Sequence, residues 1–170
     1  MGCAENPDGS LSGLMEALRQ EHARLSGDLL PAIEALMEQI AIEAGPTADD
    51  ALLIRSKVLA FHADLARLFE REEKGMFPML TRLEGSTVIS PCHAGMVKSR
   101  VRFAVIEQNP VTESLAQLKD ATRACPAASC RGVLDLLEQF EIVLAAHLKR
   151  ERETLFPKAV EMAAKLSGGC

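Results

Sequence analysis

The chain predicts an all-α fold, an antiparallel up-down-up-down four-helix bundle, and three observations carry that reading. Apolar residues recur at the 3.6-residue helical period along four long stretches. Short segments rich in Gly, Pro, Ser and Thr separate those stretches, and short connections favour antiparallel neighbours. A composition with no Trp or Tyr, rich in Ala, Leu, Glu and Arg, leans toward helix and away from strand. At 170 residues the chain is one domain's worth, large enough to bury a substantial core.

Residues 1–10 lack periodicity and read as a tail, with Ser10 as an N-cap. The first helix is expected from Leu11 to Glu43, kinked at Pro31 because a mid-helix proline removes a backbone hydrogen bond. Gly45-Pro46-Thr47 ends it. The second runs from Ala48 to Arg82, with Asp49 and Asp50 favourable in its first turn. The third starts at Ser90-Pro91 and reaches Gln108, where Asn109-Pro110 forces a break before a shorter stretch over Thr112–Arg123. The fourth spans Cys130–Lys165. The bundle proper is therefore 11–166, with 167–170 as a second tail.

Polar residues interrupt the apolar stripes at particular places. The first stripe, Leu11, Leu14, Leu18, Leu25, Leu29 and Ile33, has His22 in it. The second, Ile54, Val58, Phe61, Leu65, Leu68 and Met76, is centred on Glu72. The fourth, Val133, Leu137, Phe140, Leu144 and Leu155, contains His147 and Glu151, one turn apart on one face. On the third, His93 shares a face with Val97, Val101 and Ala104. Two buried carboxylates at stripe centres require compensation, and no Lys or Arg lies on these stripes. A bound cation supplies the missing charge, and imidazole with carboxylate suits iron, manganese or zinc. Counting back from the first loop brings His22 level with about position 70, beside Glu72. His62 is the one remaining histidine, a reserve candidate about 80° from its stripe centre.

An internal repeat supports the arrangement. Residues 68–78, LFEREEKGMFP, align with 147–157, HLKRERETLFP, so that Glu72 matches Glu151, Phe77 matches Phe156 and Pro78 matches Pro157. At the first position His147 faces Leu68.

With His22, Glu72, His93, His147 and Glu151 in this order, residues 11–160 resemble the bacterial hemerythrin-like cation-binding domains. Their pattern is a histidine on the first helix, His-xxx-Glu on the second, a histidine on the third and His-xxx-Glu on the fourth. The resemblance implies an oxo- or hydroxo-bridged non-haem di-iron centre with both glutamates bridging, one that binds oxygen, nitric oxide or peroxide or senses iron or redox state; the departure below leaves one or two iron ions expected. It implies a binding or sensing protein more than a dedicated enzyme. The sequence departs from the pattern at Leu68, where a histidine is expected, leaving one metal position with His22 alone beside the bridges. Val97, apolar where oxygen carriers place a further histidine, argues against plain oxygen transport. A metal- or redox-responsive signalling module with one or no metal is the alternative, and it would have a protein partner.

Other classes fit less well. A net charge of −5 and no dense basic block argue against nucleic acid. No apolar run approaches the ~20 residues that span a bilayer, and the first residues lack a signal peptide's charged and apolar regions, so a cytoplasmic protein is expected. The five cysteines, without CxxC spacing, read as free thiols, with Cys92 buried beside His93. Cys125 and Cys130, flanking one loop, are the pair placed for a reversible disulfide. Glu70, Glu73, Arg71, Arg150 and Arg152 read as solvated surface, and the methionines, Met96 included, as core filler. No phosphate loop, Rossmann fingerprint or Ser/His/Asp set is present.

Overall fold

The computed structural model describes residues 9–44, 49–125 and 130–168, and every regular element among them is helical. Helix α1 (Leu11–Arg24) starts at the expected cap: Ser10 is extended (φ −72°, ψ 159°) and accepts the Gly13 N–H at 2.9 Å. Two further N–H groups of this first turn, from Leu11 and Ser12, donate to the Glu84 carboxylate at 2.7 and 3.0 Å. A helix start leaves four such donors unpaired and favours negative charge, so Glu84 satisfies both demands. It ends α4 and thereby ties the start of the first rod to the end of the second.

Four helical rods result. The first joins α1 to α2 (Leu30–Ala44) through a π-helical turn at Leu25–Leu29. The second joins α3 (Asp49–Arg71) to α4 (Phe77–Glu84) through a π turn at Glu72–Met76. In the third, α5 (Pro91–Glu107) and α6 (Asn109–Ala124) meet at Gln108. The fourth joins α7 (Cys130–Arg150) to α8 (Phe156–Ser167) through a π turn at Glu151–Leu155. The expected turn at 45–47, the start at Ala48 and the tail at 1–8 lie outside the described residues.

Each interruption has the same cause. Pro31, Pro78 and Pro157 each stand two residues after the last residue of a π turn, and Pro110 stands two residues after Gln108. A proline has no N–H, and its ring crowds the carbonyl four residues earlier. The turn before it widens: Leu30, Phe77 and Phe156 donate to the carbonyls of Leu25, Glu72 and Glu151, five residues back. Pro31 thus produces a widened turn where a simple kink was expected. The break at Asn109-Pro110 is also smaller than expected. Pro110 falls in the first turn of α6, where no intrahelical donor is needed, so helix resumes at Asn109 and not at Thr112.

The apolar stripes bury into two separate clusters. One gathers Leu25–Ile40, Ala51–Phe69, Val111–Leu118 and Cys130–Leu148 side chains, with Phe61 and Phe140 edge to face at 5.1 Å. The other gathers Leu11–Leu18, Met76–Leu83, Val97–Ala104 and Leu155–Ala163 side chains. In the first half α2 packs on α3 and α7, and α6 on α3 and α7; in the second α4 packs on α1 and α8, and α5 on α8. Between the clusters lies a layer with His22, Glu72, Gln108, His147 and Glu151, all buried. It coincides with the four breaks.

Some peripheral expectations change. Cys125 and Cys130, read by default as free thiols, form a disulfide with Cα atoms 6.4 Å apart. Cys92 is free but exposed, and Met96 is 58% exposed, because both lie on the outer side of α5. Among the described residues no helix is long and apolar enough to cross a membrane.

Candidate metal centre

The polar layer brings together donors from three rods. His22, held by α1, has its ring parallel to Phe69, with centroids 3.9 Å apart, and to Phe77 at 5.8 Å. Its Nδ1–H donates to Glu73 Oε1 at 2.7 Å, which leaves Nε2 facing inward. His147, at the end of α7, is arranged alike: Nδ1–H donates to Glu21 Oε2 at 3.0 Å, and Arg150 also donates to Glu21. Carboxylates that receive the outer N–H of an imidazole fix its tautomer and its aim, as they do around metal-ligating histidines.

The inward atoms converge. His22 Nε2 lies 2.9 Å from Glu72 Oε2, and His147 Nε2 lies 3.8 Å from the same oxygen and 3.9 Å from Glu151 Oε2. One donor atom each from His22, Glu72 and His147 fall within 4.8 Å of one another. Close as they are, five of these buried atoms have no hydrogen-bond partner: His22 Nε2, His147 Nε2, both oxygens of Glu72 and Oε1 of Glu151. Buried polar atoms without partners are rare and costly. All five are of ligand type, and the His22, Glu72 and His147 atoms that converge fit a cation, with Glu151 beside them.

Titration reflects the crowding. Burial pushes Glu151 up, the Glu72 charge adds to it, and the carboxyl stands at about 8 against an ordinary 4.5. Burial also works against the charge on Glu72, but the imidazoles of His147 and His22 outweigh it and hold that carboxyl below its ordinary value. On His147, burial opposes the proton while Glu21, Glu72 and Glu151 favour it, raising the imidazole from 6.5 to about 9.

Of the residues singled out in the sequence, the structure brings together His22, Glu72, His147 and Glu151. His93 is not among them. It is exposed in the first turn of α5, where its backbone N–H donates to the capping Ser90 Oγ at 3.2 Å. Fifteen residues separate it from Gln108, roughly 22 Å along a helix, so its place on the Val97 stripe put it on the right face at the wrong level. His62 is exposed too, its Nδ1 2.8 Å from Glu34 Oε1 on the neighbouring α2. Leu68 is buried in the first apolar cluster.

Two site residues escaped sequence reading, Gln108 and Glu21. Gln108 donates from Nε2 to Glu151 Oε2 at 2.7 Å and accepts from Arg152 Nε at 2.5 Å. Level counting across the last loop would have found it: His147 lies about 20 residues beyond that loop's centre, and Gln108 about as far before it. Glu21 offers no such signal, since a carboxylate beside an inward histidine looks like solvated surface. Glu73 and Arg152 lie at the surface as read, and Arg150 is half-buried, yet each reaches the layer through one hydrogen bond, to His22, Gln108 and Glu21 respectively.

A helical bundle whose rods deliver imidazoles and carboxylates to one buried layer has the architecture of the metal-carboxylate proteins. The chain belongs to the hemerythrin HHE cation-binding domain family, whose model matches residues 13–159. Neither a curated protein nor a solved structure is significantly similar to it.

Proposed function

We propose that the chain binds iron through His22, Glu72, His147 and Glu151 and presents it to a small ligand such as oxygen, nitric oxide or peroxide. The observation that carries this is the set of five partnerless buried atoms, two imidazole nitrogens and three carboxylate oxygens. This donor set suits a first-row transition metal, and an ion with coordination positions left open supplies ligand binding or redox chemistry. The chain's own residues orient the imidazoles through Glu21 and Glu73, exclude bulk water with the two apolar clusters, and release the protons of His147 and Glu151 as metal enters. The pairing of α1 with α4 and of α5 with α8 supports an up-down-up-down course for the rods.

Metal analysis of protein purified without chelator and supplied with ferrous iron tests the reading. We expect about one iron or more per chain with an ultraviolet–visible spectrum distinct from the apoprotein; less than about 0.2 per chain after supplementation sinks it. A redox-responsive module is the second reading, favoured by the Cys125–Cys130 disulfide. It expects hydrogen exchange in α6 and α7 to differ between the oxidised and reduced protein, and identical exchange would count against it.

A further inference from the structure

We infer that the centre takes a single divalent cation, because its buried donors and carboxylate charge suffice for one ion and one oxygen of Glu151 is already engaged by the Gln108 amide. The inference rests on the metal-binding reading above and concerns how many ions that site can hold.

Arg152 can only donate hydrogen bonds, so the oxygen of the Gln108 amide must face it, which turns the amide NH2 toward Glu151 Oε2. Gln108 is fully buried, leaving its amide no solvent alternative. Glu151 therefore keeps one partnerless oxygen, Oε1. A carboxylate that bridges two cations through both oxygens puts one on each, and here Oε2 would have to bind a cation on the lone pair left beside the Gln108 N–H that it already accepts.

The remaining donors count the same way. Two imidazole nitrogens, two oxygens of Glu72 and one of Glu151 nearly fill the shell of one ion, whereas two ions sharing them would each lack half a shell. Charge agrees. The carboxylates of Glu72 and Glu151, 2% and 0% exposed, together neutralise one dication, and a second would leave uncompensated charge in a dry layer already bordered by the Arg152 guanidinium. Of the outer carboxylates, Glu21 is already paired with Arg150. One turn before Glu72, where the fourth rod has His147 before Glu151, the buried side chain is Leu68, which offers no donor.

Titration of the full chain with Mn2+, followed by equilibrium dialysis and electron paramagnetic resonance, reads the number of ions and whether they are neighbours. We expect about one equivalent in the wild type with the spectrum of an isolated ion. Leu68→His alone stays at one, because Glu151 remains committed. Adding Gln108→Glu to it frees Glu151 Oε2, supplies a third carboxylate and brings in a second, exchange-coupled equivalent. Two coupled equivalents in the wild type, or in Leu68→His alone, overturn the inference while leaving metal binding intact. A folded double variant that stays at one overturns the assignment to Gln108. No binding in any form removes the metal-binding reading itself. Should the double variant fail to fold, the wild-type and single-variant spectra still decide.

Discussion

Glu21 and Glu73 each stand next in sequence to a donor, His22 or Glu72, yet each serves a histidine on another rod. Removing such an outer carboxylate typically weakens metal binding ~10–100-fold without touching a ligand. We expect that loss for Glu21→Ala in competition titrations with Mn2+, alongside an unchanged far-ultraviolet spectrum; unchanged affinity would show the contact to be idle. The protons of the layer give a second outcome. An imidazole raised from 6.5 to about 9 stabilises the fold fully below pH 6.5, and that contribution is lost as pH climbs through 9. Glu151, raised from 4.5 to about 8, keeps a proton that the unfolded chain has released, so folding becomes less favourable as pH rises from 4.5 to 8. Both act in one direction: metal-free protein should melt at a lower temperature at pH 9 than at pH 6.5. Saturating Mn2+ replaces those protons, so the difference shrinks and affinity rises over the same window. Thermal melts with and without the ion check both, and a metal-free protein more stable at pH 9 would refute the proton placement.

At the scale of elements, a π turn is an α-helix with one residue too many, the surplus absorbed locally so that the flanking stripes stay in phase. Deleting exposed Gly75 together with Pro78→Ala should therefore leave a cooperatively folding protein. Deleting exposed Ala66, inside the regular part of α3, rotates the remainder of the rod by about 100° and carries Glu72 and Met76 off the core, so the fold should be lost. Circular dichroism melts separate the two; a Gly75 deletion that unfolds the chain would show that the extra residue is structurally required. The same turns mark what could be read in advance. The stripes placed His22, Glu72, His147 and Glu151 in the interior because helical phase is carried by local sequence. Level along the rod is not. It accumulates over a whole helix and its loops, and so His93 shared a face with the core while lying a bundle-end away from the site, and Gln108 went unnoticed at the right level. Pro31, Pro78, Pro110 and Pro157 were all visible as breakers, but that a proline widens a turn and does not end the helix depends on the packed rods holding both sides in line.

The whole molecule is held at one end by the Cys125–Cys130 link between the third and fourth rods. A bridge closing so short a loop contributes about 2 kcal/mol, so reduction should lower the melting midpoint by about 4–8 °C. Calorimetry with and without a non-thiol reductant measures it, and an unchanged midpoint would mean that the link contributes nothing to stability. Disulfide and metal layer lie apart, so the two effects should add, and midpoints of the oxidised, reduced, loaded and metal-free forms show whether they do. The division of the core into two apolar clusters has a further consequence. The inward atoms of the layer between them are buried, so whatever reaches them must first leave water. A small neutral molecule gives up little in that passage, since it carries no hydration shell worth keeping, whereas a sugar gives up much and a cation enters only as the layer's own donor atoms replace its water. The bundle thus sorts neutral visitors by solubility before any of them meets a ligand atom, and it does so with leucines and phenylalanines that take no part in the chemistry.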